Sequence, residues 1–183
     1  MGGRIALVAL LLAVAAVVAA GCSGGNVEGT KTGPVATSAG GNTGGQSGRI
    51  RPTWIGSDVL SVDGDSLLIP VNEVTSGRML HFSISTTEYG KENFMVYDLG
   101  GEKYVRANVC PPCRSVGFSL VGDTLVCDTC ATVFSAKTGD GISGACKDFP
   151  KAAAEYAISG DSISVGINDL VAAFQNTEKP GWP

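Results

Sequence analysis

Two short cysteine pairs, Cys110-Pro111-Pro112-Cys113 and Cys127-Asp128-Thr129-Cys130, stand thirteen residues apart and constrain this chain more than any other feature. A Cys-x2-Cys turn curls its backbone around one point, so both thiols of a pair face the same place. Two such turns complete a tetrahedral four-sulfur site of the kind that holds zinc or cysteine-ligated iron. Pro111 and Pro112 stiffen the first turn and lessen the entropy lost when metal binds. Strand-like residues lead into each pair, 103–109 before the first and 124–126 before the second, so both pairs sit at loop tips held by a sheet. Other chemistries suit the same cysteines. Disulfides within the pairs would close very small loops and remove little chain entropy. A thiol–disulfide oxidoreductase usually relies on a helix N-terminus to lower a thiol pKa, and no convincing amphipathic helix follows either pair. Spacing alone does not separate zinc from iron, because both accept four thiolates. A structural zinc site in a partner-binding module therefore stands beside an iron centre, and a thiol–disulfide oxidoreductase beside both.

The N-terminus reads as an export signal. Arg4 precedes an uninterrupted apolar run over residues 5–20, which is short for a membrane span of ~20 residues but suits a signal-peptide core. The run ends in Ala19-Ala20-Gly21-Cys22-Ser23, small residues before a cysteine as in a bacterial lipobox, with Ala19 where leucine is usual. This predicts a signal peptide over 1–21 and lipidation of Cys22; ordinary secretory cleavage and an uncleaved anchor are the alternatives. Residues 22–53, rich in Gly, Ser, Thr and Asn, bury too little apolar surface to offset ordering entropy and are expected to form a disordered tether. The expected location is extracytoplasmic, anchored to the cell membrane by lipid. Export would also place the remaining cysteines where disulfides are possible.

Residues 54–178 carry the folded domain. Within a chain of 183 residues, this allows one modest core that a metal would help to lock. Strands are expected over 58–62 and 66–70 around Asp63-Gly64-Asp65, over 79–84, 93–97 and 103–109, and over 155–158 and 162–167 around Ser159-Gly160-Asp161. A helical turn is expected at 71–74, and Asn168-Asp169 can cap a short helix over 170–175. Short strands with closely spaced turns predict a mainly β domain, a small sandwich or barrel with two Cys-x2-Cys loops and a short C-terminal helix. The net charge of -4 offers no basic patch for nucleic acid.

The remaining chemistry-bearing residues are few. Cys146, in Gly144-Ala145-Cys146, is either a small buried residue or a thiol at the metal, as an additional ligand or beside it. His81 is the only histidine and lies mid-strand, where a structural role competes with ligation. Met79 and Met95 read as core, and Asp123, Asp128 and Asp140 as solvated turn residues. No Ser/His/Asp arrangement, phosphate-binding glycine loop or paired catalytic carboxylates stands out.

Two family resemblances rest on these residues. Residues 122–139, with Cys127-x2-Cys130 followed by Phe134 and Thr138-Gly139, resemble the second cluster loop of Rieske domains. Cys130 stands where those domains have histidine, and the first pair is Cys-x2-Cys instead of Cys-x-His. The alignment implies that residues 141–150 form a third loop over the cluster and that Cys146 lies near the metal. The more extensive resemblance, over about 62–167, is to the FtrD-like family of membrane iron–sulfur proteins. It is carried by both pairs, by Gly144-Ala145-Cys146 where the family has Gly-Gly-Cys, and by 68–74, His81-Phe82 and Val105-Arg106-Ala107. Many members carry several membrane spans, where this chain has only the expected lipid anchor. The resemblance implies a Rieske-like β domain holding an iron–sulfur cluster or iron, with Zn2+ as the alternative. It also implies an electron-transfer or metal-transfer role with membrane iron-transport components, and no enzymatic activity of its own.

Overall fold

The computed structural model describes residues 48–87 and 89–183. The expected signal peptide, Cys22 and the tether before residue 48 lie outside the described residues. Among those described, the domain is almost entirely β-structure in three antiparallel-dominated sheets. The middle sheet contains β2 (Pro52–Trp54), β5 (Met79–Thr86), β6 (Gly90–Leu99) and β7 (Glu102–Ala107), hydrogen-bonded in that order. A second sheet has the order β12 (Tyr156–Ser159), β13 (Ser162–Gly166), β4 (Ser66–Pro70) and β3 (Ser61–Asp63). The third has the order β1 (Arg49–Ile50), β8 (Phe118–Val121), β9 (Thr124–Cys127), β10 (Val133–Ser135) and β11 (Gly141–Ser143).

The two-residue period of a strand explains why the middle sheet can be covered on both faces. On β5 and β6, Leu80, Phe82, Phe94 and Val96 point into one apolar cluster with Leu67, Ile69, Ile163 and Val165 of the second sheet and Leu170 and Ala173 beyond them. Their alternates Met79, Met95 and Tyr97 point into the other cluster, with Phe118, Leu120, Leu125 and Phe134 of the third sheet. Cys110, Cys127 and Cys146 belong to this second cluster, so the cysteine loops are rooted in a packed core. Both methionines are fully buried core residues, as their strand positions predict. The long β6–β7 hairpin closes through Gly100-Gly101, with φ of 68° and 95°; a turn with two consecutive left-handed residues favours glycine at both.

Three sequence expectations are corrected. Pairing begins inside the stretch read as tether: β1 pairs with β8, and β2 runs parallel to β5. A sheet edge recruits backbone N–H and C=O groups whatever the side chains, so polar composition hid these short strands. The C-terminal helix α1 spans Ile167–Thr177, starting three residues earlier than expected. Asp169 is therefore not its cap but lies in its first turn, where the helix dipole favours a carboxylate. Leu170, Ala173 and Thr177 form its buried stripe. Lastly, β8, β10 and β11 were too short and too mixed in polarity to stand out between the cysteines.

Candidate metal centre

The two Cys-x2-Cys loops have the same build. In the first, the Cys110 N–H donates to Ser115 C=O at 2.8 Å; in the second, the Cys127 N–H donates to Thr132 C=O at 2.9 Å. In each loop the residue right after the second cysteine is left-handed, Arg114 at φ 57° and Ala131 at φ 58°. They are the only described non-glycine residues with positive φ, a conformation costing roughly 1–2 kcal/mol. That reversal swings the second thiol back toward the first, which accounts for finding the strain here. Thr129 Oγ1 donates to Ser115 Oγ at 2.9 Å and ties the two loops together.

The sulfurs converge. Cys110 Sγ lies 4.0 Å from Cys130 Sγ, and Cys113 Sγ lies 3.7 Å from Cys127 Sγ. Cys146 Sγ comes within 3.7 Å of Cys130 Sγ. The sulfurs of Cys110, Cys113, Cys130 and Cys146 all lie within 4.8 Å of one another. None of the five described cysteines forms a disulfide. Four thiolates bound to one ion at about 2.3 Å form a tetrahedron with edges of about 3.8 Å, so this donor set fits a thiolate-bound metal. Cys110, Cys127 and Cys146 are buried, whereas Cys113 and Cys130 are partly exposed and give the centre its face to solvent.

A third loop completes the enclosure. The Cys146 N–H donates to Thr132 Oγ1 at 3.2 Å, and the same hydroxyl lies 3.2 Å from Cys130 Sγ. Gly144 is required for this approach: its φ is 107°, and a Cβ there would fall 2.6 Å from Thr132 Oγ1. The local hydrogen bonds also set which thiols ionise. A hydrogen bond from Cys110 holds the Cys127 thiol down at about 4, against burial, and the same interaction, with burial, pushes Cys110 up. Burial raises the Cys130 thiol, but hydrogen bonds from the Thr132 hydroxyl and backbone outweigh it and bring the pKa down. Burial also raises Cys113, to about 11. Before metal arrives, Cys127 and Cys130 are thus drawn toward the thiolate form, while Cys110 and Cys113 are held toward the thiol and must give up protons on binding.

Asp128 is an exposed turn residue, as expected, and it also anchors the second loop. It pairs with Arg49 at 3.0 Å and accepts from Ser119 Oγ at 2.7 Å, fastening β1 to the cysteine turn. His81 is not in the sulfur group. It is fully buried on β5, edge-on to Trp54 at 5.2 Å between ring centres, and both ring nitrogens lack hydrogen-bond partners among the described residues. Burial lowers its pKa from 6.5 to about 4, with Asp128 opposing weakly. Above pH 6.5 folded and unfolded chains both hold it neutral. As pH falls toward 4 only the unfolded chain takes up the proton, so up to on the order of 3 kcal/mol of stability is lost across that window. Denaturant unfolding at pH 7 and pH 4.5 should show the loss, and His81→Phe should flatten it; equal slopes in both proteins would contradict this assignment.

Residues 62–176 match the family model described as "Membrane iron-sulfur containing protein FtrD-like". No curated protein matches the chain. Among solved structures, a chain from a complex of reduced oxygenase and oxidized ferredoxin in carbazole 1,9a-dioxygenase is similar at 18% identity and a TM-score of 0.48, covering 57% of this chain and 95% of that one. A ferredoxin of Sphingomonas yanoikuyae B1 is similar at 18% identity and a TM-score of 0.42, with 54% and 94% covered. The ferredoxin of carbazole 1,9a-dioxygenase from Nocardioides aromaticivorans IC177 stands at 16% and 0.44, with 54% and 93% covered.

Proposed function

The chain belongs to the FtrD-like family of membrane iron–sulfur containing proteins, and from that premise we propose that it is a one-electron carrier whose iron is held by thiolates at the tips of the two cysteine loops. Cys110, Cys113, Cys127 and Cys130 are the ligands in this reading, and Cys146 is the fifth thiol closing over them. Two observations support it: the sulfurs of Cys110, Cys113, Cys130 and Cys146 lie within 4.8 Å of one another, and Cys127 Sγ, outside that group, lies 3.7 Å from Cys113 Sγ. Iron held by four thiolates supplies a one-electron couple, at lower potential than a histidine-ligated Rieske centre. The polypeptide does the rest. The apolar cluster around Phe118 and Phe134 keeps water from the buried sulfurs, Thr132 steadies Cys130, and the partly exposed Cys113 and Cys130 give electrons an exit. Val116, exposed on the loop after Cys113, and Ile142, exposed on β11 just before Cys146, offer an apolar rim for a partner.

No helix among the described residues is long and apolar enough to cross a membrane. In the proposed setting the chain is exported, lipidated on Cys22 and held outside the cytoplasmic membrane, where it passes electrons or iron to membrane iron-transport components. Full-length protein purified without oxygen should contain iron and show a visible absorption band that bleaches on reduction. Sulfide content then distinguishes an iron–sulfur cluster from a single iron. A colourless protein with one equivalent of zinc and no response to reductant would overturn the electron-carrier reading in favour of a structural site. Insulin reduction by the metal-free protein would support thiol–disulfide chemistry instead.

A further inference from the structure

Lys151 is fully buried, and no carboxylate among the described residues forms an ion pair with it. Its ammonium donates to the carbonyl of Val109 at 2.8 Å, immediately before Cys110 at the root of the first cysteine loop. It also stands over the Phe134 ring at 4.6 Å and the Phe118 ring at 5.5 Å, and Phe118 is the cross-strand partner of Cys127. The cation therefore sits at the roots of both loops. Its backbone is pinned there, with its N–H on Gly139 C=O at 2.8 Å and its C=O accepting from Arg106 at 2.6 Å. The neighbouring guanidinium of Arg106 makes its hydrogen bonds to neutral oxygens, so it does not relieve the charge.

A buried, unpaired ammonium is unfavourable unless an anion compensates it. The anions at hand are the thiolates. Burial lowers the Lys151 pKa to about 8, and Cys110, Cys127, Cys146 and Cys113 work against that fall. Four thiolates around an iron leave a net negative charge that grows by one when the iron is reduced. We propose that Lys151 is the built-in counter-cation of the thiolate centre, favouring its reduced form and its retention of metal. This rests on the metal reading above; the effect on reduction requires iron, whereas the effect on metal retention holds for iron or zinc.

Lys151→Met in the full-length chain tests it, with Lys151→Arg as the charge-keeping control. The Met variant should favour the reduced state about tenfold less, a midpoint potential lower by about 59 mV for one electron. In chelator competition with iron(II), or with zinc(II) if the protein proves colourless, its affinity should fall about tenfold, and Lys151→Arg should restore most of both. Lys151→Met should destabilise the metal-free protein less than the metal-loaded one, because fewer of the thiols that compensate the ammonium are ionised before metal binds. A wild-type chain that binds no metal overturns the metal reading and this assignment together. A metal-loaded Met variant with wild-type potential and affinity, or equal destabilisation with and without metal, overturns the Lys151 assignment alone. Should Lys151→Met fail to fold even when metal-loaded, Lys151→Gln is measured in its place against the same outcomes.

Discussion

Cys110→Ser should strip the protein of metal and lower its unfolding temperature by roughly 10 °C. Cys110 is fully buried in the core beneath the site, and its sulfur lies 4.0 Å from that of Cys130 in the opposing loop. Serine keeps the volume but offers a hydroxyl that does not ionise near neutral pH. Affinity should fall by more than about 1,000-fold, well past the ~10–100-fold cost of disturbing a ligand's hydrogen-bond partners. Binding to the folded state alone stabilises by about 4 kcal/mol when metal is ~1,000-fold above its dissociation constant, and a domain of this size shifts by a few degrees per kcal/mol. Metal analysis and thermal unfolding of the full-length variant read both effects. Cys146→Ser is the contrast: it should retain metal with less than tenfold loss of affinity. Metal retention by Cys110→Ser, or its complete loss from Cys146→Ser, would reassign the ligands.

Arg106→Met should cost about 4 kcal/mol of folding stability, a large part of the ~5–15 kcal/mol typical of a domain. The guanidinium is buried and donates to Tyr97 Oη at 3.0 Å, Lys151 C=O at 2.6 Å and Lys137 C=O at 2.6 Å. It also stacks over the Tyr104 ring at 5.5 Å. Tyr97 Oη in turn donates to Ala136 C=O at 2.6 Å, and burial pushes its pKa to about 12, so it remains a donor. The methionine leaves the buried Lys151 carbonyl and the Tyr97 phenol short of a partner, each costing roughly 1–3 kcal/mol, while the half-buried Lys137 carbonyl adds less. The same bonds hold the segments that carry Lys137 and Lys151 against the middle sheet, so the variant should also release metal faster. Denaturant unfolding that shows a loss below about 1 kcal/mol would mean that Arg106 does not act as this hub.

These two residues show what the sequence does and does not disclose. Cys110 is legible because function is written into spacing: four cysteines in two identical turns have few other uses. The hairpins are legible because turns such as Ser159-Gly160-Asp161 place glycine where the backbone needs it, and β12–β13 pair around that turn. Arg106 and Lys151 carry no such mark. Each is a single cation in an ordinary stretch, and its burial is decided by other parts of the chain: Tyr97, Lys137 and Lys151 around Arg106, and Val109, Phe118 and Phe134 around Lys151. Cys146 was ambiguous from composition; only the likeness to a third cluster loop pointed to the metal, and its sulfur lies 3.7 Å from that of Cys130. For His81 a structural role competed with ligation, and it lies on β5 outside the sulfur group, packed against Trp54. Asp128 is the exposed turn residue the sequence suggests, but its anchoring role is not legible there because its partners, Arg49 and Ser119, come from two different strands.

X-ray absorption at the edge of the metal carried by the full-length protein is the most direct test of the account. It should report about four sulfur neighbours at about 2.3 Å. A shell dominated by nitrogen or oxygen, or a protein that carries no metal and seals its cysteines in disulfides, would contradict it.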